Sequence, residues 1–299
     1  MLKTKLVIAI SSNALFDLKE GHHIFTHEGL DAYRKYQIAN EENTLPPGEA
    51  FSLVERLLKL NDYLVNHKIE IILLSRNSAD TGLRIFNSIQ KYKLDIVRAA
   101  FCGGESPHRY VSAFKCHLFL STNEDDVRNA LRAGVGAAKV YTNTDNTEKT
   151  SDKLKIAFDG DAVLFSDEAE YIYHHQGLEA FVKSESDTSH DPLPAGPLKP
   201  FLSILKKIQQ ECSNDCPIRT ALITARSAPA HERVIRTLRS WDIWLDEVLF
   251  LGGLPKAKFL KAFDADIFFD DQEKNCYDAH QNKITTAHVP YGVKNTKER

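Results

Sequence analysis

Two stretches of the chain read IILLSRNSADTGLRIFNSI (71–89) and TALITARSAPAHERVIRTL (220–238). Each begins with a short apolar run and continues, after a polar turn, into a segment whose apolar residues recur three or four positions apart. An apolar run followed by an amphipathic helix is typical of a strand buried on both faces of a parallel sheet. The two stretches lie 149 residues apart and align without a gap.

The similarity between the two halves extends well beyond these stretches. HIFTHEGLDAY (23–33) aligns with YIYHHQGLEAF (171–181), and AFCGGESPHRYVSAFKCHLFLST (100–122) aligns with LFLGGLPKAKFLKAFDADIFFDD (249–271). A register that slips by one residue over most of the chain indicates an internal duplication. The polar stretch TNTDNTEKTSDK (142–153) has no apolar periodicity and is predicted to be a linker. We therefore predict two tandem α/β domains, 1–141 and 154–299, each a Rossmann-like parallel sheet with flanking helices.

Composition excludes several classes of protein. The 299 residues include 38 Lys and Arg against 41 Asp and Glu, so the chain lacks the bulk positive charge of many nucleic-acid binders. No apolar run approaches the roughly 18 residues that a membrane span needs. The five cysteines and the absence of an N-terminal apolar segment of signal-peptide length predict reduced thiols in the cytoplasm.

Polar side chains follow the predicted strands of the second half. They are Asp159, Asp161, Thr224, Lys256, Asp270 and Asp271. Because ligands of open α/β sheets bind at the carboxyl ends of the strands, we expect these side chains to share one edge of the sheet. Carboxylates suit Mg²⁺, while a hydroxyl and an ammonium group suit a phosphate. The set predicts a magnesium-dependent phosphoryl-transfer site.

The same residues resemble the motifs of a known superfamily. DGDAV (159–163), ALIT (221–224), Lys256 and FFDD (268–271) resemble, in order, the four motifs of the haloacid dehalogenase superfamily. Longer stretches, among them IAFDGDAVLFSDEAE (156–170), are similar to the cytosolic 5′-nucleotidase I family over both halves. The resemblance implies a cytoplasmic Mg²⁺-dependent phosphoric monoester hydrolase with small cap insertions. It would hydrolyse nucleoside 5′-monophosphates, typically AMP-like and deoxypyrimidine substrates, in its C-terminal half.

The resemblance also implies a role for each residue. Asp159 would be the nucleophile that forms an aspartyl-phosphate, and Asp161 would be the acid and then the base. Phosphate would be held by Thr224 and Lys256, with Ala225 and Arg226 adjoining as substrate-binding residues. The expected metal ligands are Asp159, the main-chain carbonyl of Asp161, Asp270 and, directly or through water, Asp271.

Each motif also has an ordinary structural interpretation. Asp-Gly-Asp could be only a turn, and Thr224 could be the N-cap of a helix. Lys256 could be a solvated lysine, with Lys258 or Lys261 the true phosphate partner. Asp270 and Asp271 could be only the start of a loop.

The first half has lost the residues that the chemistry needs. In the repeat register Ser11 replaces Asp159, Asn13 replaces Asp161, and Pro107 replaces Lys256. Ser121 and Thr122 stand where Asp270 and Asp271 stand in the second half. We expect a domain without catalysis whose Ser75, Arg76 and Asn77 either bind substrate or a nucleotide effector such as ATP or ADP, or belong to a scaffold.

Two further expectations concern the ligands. Residues 166–200 take the place of a cap, and their aromatic residues Tyr171, Tyr173 and Phe181 could stack on a nucleobase or pack within the cap. We expect a nucleoside monophosphate substrate and a homo-oligomer, with no nucleic-acid or membrane partner. The alternatives are a phosphatase of the same superfamily for another small ester and a non-catalytic nucleotide sensor.

Overall fold

A computed structural model describes residues 4–141, 153–212 and 216–295. The chain divides into two compact units, residues 1–135 and 136–299. The predicted linker 142–153 lies outside the described residues except for Lys153.

The first unit is an α/β structure with a parallel sheet. Its strands are β1 (Thr4–Ser11), β2 (His67–Ser75), β3 (Arg98–Phe101) and β4 (Leu118–Ser121). Its helices are α1 (Ser12–Leu15), α2 (Lys19–Glu28), α3 (Leu30–Ala39), α4 (Phe51–Lys59), α5 (Leu83–Lys91) and α6 (Glu124–Arg132), with 3₁₀ turns at Leu60–Tyr63 and Pro107–Tyr110. The strand order is β3-β2-β1-β4, and each neighbouring pair is parallel.

The second unit has a mostly parallel sheet. Its strands are β5 (Gly136–Val140), β6 (Leu154–Phe158), β7 (Ile218–Thr224), β8 (Glu247–Phe250), β9 (Ile267–Asp270) and β10 (Thr286–His288). Its helices are α7 (Glu168–Asp187), α8 (Lys199–Glu211), α9 (His231–Ser240), α10 (Ala257–Phe263) and α11 (Glu273–Gln281), with a 3₁₀ turn at Val293–Asn295. The order is β8-β7-β6-β9-β10-β5, and only β5 is antiparallel to its partner β10. The predicted α/β class with a central parallel sheet is confirmed.

Strand β5 pairs with β10 in the second unit. It precedes the predicted linker in the chain, but its backbone pairs with β10 at Val140 and Ala287. The strand β6 lies inside the sheet, between β7 and β9. Its residues Ile156, Ala157 and Phe158 are almost fully buried, which explains why it reads as a continuous apolar run.

The helices pack their apolar faces on the sheet and leave polar faces in solvent. In α8 the buried residues include Phe201, Leu202, Leu205 and Ile208, spaced one, three and three positions apart. No helix in the three described ranges combines the length and apolar character that a membrane crossing requires.

The two units repeat the same local hydrogen bonds. The backbone N–H of Leu45 donates to Ser88 Oγ at 2.9 Å, and that of Leu193 donates to Thr237 Oγ1 at 2.8 Å. The helix α7 breaks at Gly177, with φ of 83°, and Gly29, with φ of 85°, separates α2 from α3 at the matching position. Both turns need a positive φ, which glycine adopts without steric cost.

The turn after β6 differs from its counterpart after β1. In the first unit Phe16 N–H donates to Ser12 O, whereas in the second Phe165 N–H donates to Gly160 O, so the second turn is one residue longer. Within it Ala162 has a φ of 59°, which non-glycine residues seldom adopt. The extra residue and the unusual dihedral fall in the DGDAV motif, and such strain clusters at functional sites.

Candidate active site

Three carboxylates converge at the carboxyl edge of the second sheet. Asp159 directly follows β6, Asp270 ends β9, and Asp271 comes next in the chain. Because β6 and β9 are neighbours with Phe158 opposite Phe269, their ends place these side chains together. One oxygen from each carboxylate lies within 4.8 Å of the others, and all three residues are buried.

Lys256 joins this cluster from a different element. It is the N-cap residue of α10, after the turn formed by Gly252 and Gly253, whose φ angles are 58° and 85°. Its Nζ lies 2.8 Å from Asp159 Oδ1 and 2.6 Å from Asp270 Oδ2. The alternatives, Lys258 and Lys261, are exposed, while Lys256 is buried.

The Asp270 carboxylate is held from several sides. Its Oδ1 accepts the backbone N–H of Gln272 at 2.8 Å, and Asn275 Nδ2 lies 3.1 Å from each carboxylate oxygen. Asp271 Oδ2, in contrast, is buried without a hydrogen-bond partner among the described residues.

The cluster has more negative than positive charge. Three carboxylates face one ammonium group, so the ion pairs offset only part of the free-energy cost of burying these charges. Burial raises the pKa of Asp159 to about 7, with Asp270 adding to the rise, although Lys256 lowers it. Burial and the neighbouring Asp270 carboxylate also raise the pKa of Asp271 well above its usual value. The surplus charge and the unpartnered Asp271 oxygen fit a divalent cation with oxygen ligands.

A cavity of about 460 Å³ opens beside this cluster. Its lining includes five of the predicted site residues, Asp159, Asp161, Thr224, Ala225 and Arg226. Other lining residues are Ala169, Glu170, Tyr173, Leu178, Phe181, Ser227, Gly252, Gly253, Gln272 and Lys294. The cavity therefore joins acidic, hydroxyl and aromatic groups, a combination that suits a polar ligand with a planar part.

Thr224 is the last residue of β7 and is almost fully buried. Its Oγ1 accepts the backbone N–H of Arg226 at 3.2 Å. It is not a helix N-cap, because α9 begins at His231 with Ala230 in the capping position. The hydroxyl instead lies at the strand end where a phosphate was predicted to bind.

Asp161 is engaged by an arginine. Arg226 donates from Nε to Asp161 Oδ2 at 2.8 Å and from Nη2 to Asp161 Oδ1 at 2.7 Å. Its Nη1 also donates to Glu185 Oε2, and Arg233 Nη1 donates to Glu185 Oε1 at 2.9 Å. Three of the five N–H groups of Arg226 are thus used within the protein.

Ser75, Arg76 and Asn77 lie in the first unit, where other groups engage them. Ser75 Oγ is 2.9 Å from Ser12 Oγ and accepts the backbone N–H of Asn77 at 3.0 Å. Arg76 donates to both oxygens of Asp126, at 2.9 and 2.6 Å, and to the carbonyl of Gly104 at 3.1 Å. These contacts favour a structural use, and a ligand role for the three residues stays a prediction.

The cap-like segment contributes aromatic side chains to the cavity. Tyr173 and Phe181 pack edge to face with ring centroids 6.1 Å apart, and Tyr173 is half exposed. Tyr171, also half exposed, stacks instead on His175 at 4.0 Å, and it does not line the cavity. Both proposed roles of the aromatic residues, packing and base stacking, are compatible with this arrangement for Tyr173 and Phe181.

Sequence reasoning missed several residues of the site. Lys294 Nζ lies 2.6 Å from Glu170 Oε1 at the cavity wall, and Glu170 Oε2 is buried without a partner among the described residues. Asn275 and Glu185 were not predicted either. Glu185 has a signal in the sequence, because the repeat register places the uncharged Gln37 at its position in the first half.

Comparisons with known proteins agree with one another. The profile of a protein family described as 5′-nucleotidase matches residues 1–296. Cytosolic 5′-nucleotidase 1B of Homo sapiens is 38% identical to the chain over 281 residues, which cover 90% of the chain and 46% of that relative. The chain thus spans about half the length of the curated relative. No solved structure matches the chain at a significant level.

Proposed function

Because the chain belongs to the 5′-nucleotidase family, we propose that it hydrolyses nucleoside 5′-monophosphates to a nucleoside and phosphate. The observation that carries this proposal is the buried set of Asp159, Lys256, Asp270 and Asp271 beside a cavity of about 460 Å³. A nucleophilic carboxylate, a fixed ammonium group and a surplus of negative charge are what a metal-assisted phosphoryl transfer requires.

Magnesium is the cofactor that this donor set fits best. The residues that would hold it are Asp159, Asp270, Asp271 and the main-chain carbonyl of Asp161, all oxygen donors, as Mg²⁺ prefers. When bound, the cation would neutralise charge on the phosphate oxygens. Thr224 and Lys256 would bind the same phosphate through a hydroxyl and an ammonium group.

Asp159 and Asp161 divide the proposed chemistry. The Asp159 carboxylate attacks phosphorus, the bond to the ribose 5′ oxygen breaks, and Asp161 gives that oxygen a proton. A water molecule then attacks the phosphorus of the aspartyl-phosphate and passes a proton to Asp161, which frees Asp159. Each Asp161 oxygen that accepts a bond from Arg226 keeps a second lone pair for this proton.

We infer that the two units arose by duplication of a haloacid dehalogenase-like domain with a small cap. Support comes from the shared strand order, from the matched hydrogen bonds at Leu45 and Leu193, and from the matched glycine turns. The first unit lacks the carboxylates and is proposed to have no catalytic role of its own. An ATP or ADP effector, a homo-oligomer and a cytoplasmic location stay predictions.

A substrate panel tests the proposed function. Phosphate release is measured from purine and pyrimidine ribo- and deoxyribonucleoside 5′-monophosphates, from ribose 5-phosphate and from nitrophenyl phosphate, with Mg²⁺ or with excess EDTA. We expect release from the nucleotides that requires Mg²⁺ and stops in EDTA. The variant Asp159→Asn, purified in the same way, controls for a contaminating phosphatase.

Other outcomes would point to the alternatives. Preference for ribose 5-phosphate over every nucleotide would favour a phosphatase for another small ester. Nucleotide binding without phosphate release would favour a sensor. Full activity in excess EDTA would exclude the metal.

A further inference from the structure

A row of alternating charges connects the helix α7 to Asp161. Asp161 binds Arg226, Arg226 binds Glu185, and Glu185 binds Arg233. Glu185 is 1% exposed, and both arginines are buried. The same helix carries Tyr173, Leu178 and Phe181, which line the cavity.

The first unit has uncharged residues at the three positions that lead to Asp161. In the repeat register Asn13 replaces Asp161, Asn77 replaces Arg226, and Gln37 replaces Glu185. There Tyr33 stands at the position of Phe181. Three charges that touch one another have therefore been lost together, in the half that also lacks the nucleophile.

The fourth member of the row behaves differently. Arg233 Nε donates to the Asp191 carbonyl at 2.9 Å, and its counterpart Arg84 donates from Nε to the Asn43 carbonyl at the same distance. The arginine that binds a backbone carbonyl is thus present in both units. The charges that lead to Asp161 are present only where Asp161 is.

Stability alone does not explain the charged row. Buried ion pairs seldom stabilise a protein more than neutral side chains of similar size, because desolvation offsets the attraction. The first unit has neutral residues at these positions, and Gln37 is as buried there as Glu185 is in the second unit. A second use of the charges is needed.

We propose that Glu185 is a positioning residue that fixes Arg226, and that Arg226 in turn holds the Asp161 carboxylate towards the cavity. Glu185 accepts a hydrogen bond from Nη1 of Arg226, so Nε and Nη2 are placed to donate to the two oxygens of Asp161 in one plane. A carboxylate held in this way cannot rotate freely away from the leaving oxygen. This inference rests on the proposed function, and it adds a support from α7 that the motifs do not contain.

Glu185→Gln tests the inference, because it keeps the size of the side chain and copies the residue of the first unit. Wild type, Glu185→Gln, Asp161→Asn and the double variant are compared for kcat and KM on a nucleoside monophosphate and on nitrophenyl phosphate. We expect Glu185→Gln to lower kcat for the nucleotide about 10- to 100-fold, the usual effect of losing a residue that orients a catalytic group. The KM should change less than about threefold.

The double variant separates positioning from a purely structural role. If Glu185 acts through Asp161, adding Glu185→Gln to Asp161→Asn costs less than about twofold in the remaining nitrophenyl phosphate turnover, since coupled residues are not additive. If the loss of turnover in the double variant equals the product of the losses in the two single variants, the inference is wrong. Asp246→Asn is the matched control: it removes a carboxylate that binds Thr220 and Gln209, and it should lower thermal stability without changing kcat.

Two further outcomes are informative. If Glu185→Gln fails to fold, the pair Glu185→Gln with Arg226→Asn leaves neither residue charged, as in the first unit, and it should fold with the same loss of kcat. Normal kcat in that folded pair would overturn the inference. If wild type releases no phosphate, or Asp159→Asn retains full release, the proposed function has failed and the inference falls with it.

Discussion

Asp161 is the residue whose environment bears most directly on the proposed chemistry. It lines the cavity and is paired through both carboxylate oxygens with a buried arginine. We predict that Asp161→Asn lowers kcat for nucleoside monophosphates about 10²- to 10⁴-fold, the usual range for a lost general acid. Nitrophenyl phosphate, whose leaving group needs little protonation, should lose much less.

The comparison of the two substrates is the measurement that checks this prediction. Circular dichroism and thermal unfolding of Asp161→Asn show whether the fold is intact. An equal loss on both substrates would mean that Asp161 has a structural role.

Arg76 illustrates how a tertiary contact changes the interpretation of a residue. Its guanidinium is bound by Asp126 and by the Gly104 carbonyl, and its side chain is 41% exposed. We predict that Arg76→Ala lowers the free energy of unfolding by about 1–2 kcal/mol, because the buried Asp126 loses two charged hydrogen bonds. Urea unfolding measures this change. Unchanged stability together with weaker binding of substrate, ATP or ADP in titrations would support the alternative, a ligand role.

Sequence reasoning located some site residues and missed others for physical reasons. The proximity of Asp159, Thr224 and Asp270 could be predicted because the ends of parallel strands share an edge, so that chain order predicts which residues meet. Glu185 could not be found in this way. It reaches Arg226 only because α7 folds back over the strand ends, and that packing has no local signature.

The turns that follow β1 and β6 each pack their backbone closely against a glycine. A Cβ on Gly196 would lie 2.3 Å from Phe165 O and 2.6 Å from Val163 O. A Cβ on Gly48, the matching residue of the first unit, would lie 2.8 Å from Ala14 O. In both cases the clash is with backbone, which cannot move aside as a side chain can.

We predict that Gly196→Ala and Gly48→Ala each destabilise the chain by at least roughly 1–3 kcal/mol, the usual cost of overpacking. Only Gly196→Ala should also lower turnover, since Val163 belongs to the DGDAV turn that follows β6. Thermal unfolding and kcat of the two variants check this. Equal turnover in both folded variants would show that the turn does not position Asp159.

The alternation of apolar runs and amphipathic segments predicted the strands and helices well. The extra residue of the turn after β6 was not predicted. The alignment of the two halves shows no gap at this turn, whereas the structure shows the extra residue through the hydrogen bond from Phe165 N–H to Gly160 O. A change in hydrogen-bond register of this kind leaves no apolar pattern to detect.

For the whole molecule, the sequence repeat predicts domains 1–141 and 154–299, and the chain divides into compact units of residues 1–135 and 136–299. The strand β5 precedes the polar stretch 142–153, yet it pairs with β10, because strand pairing depends on three-dimensional proximity and not on composition. We propose a division of labour, in which the second unit performs covalent phosphoryl transfer on Asp159 and the first unit performs none.

Trapping the phosphoryl group on the enzyme tests this division of labour. The whole chain carrying Asp161→Asn is mixed with nitrophenyl phosphate and Mg²⁺, because the poor base should slow hydrolysis of the intermediate more than its formation. Acid quenching and peptide mass spectrometry then locate the phosphate. We predict an adduct on Asp159, none on Ser11 or elsewhere in the first unit, and none after Asp159→Asn. Phosphate on another residue, or continued hydrolysis by folded Asp159→Asn, would contradict the account.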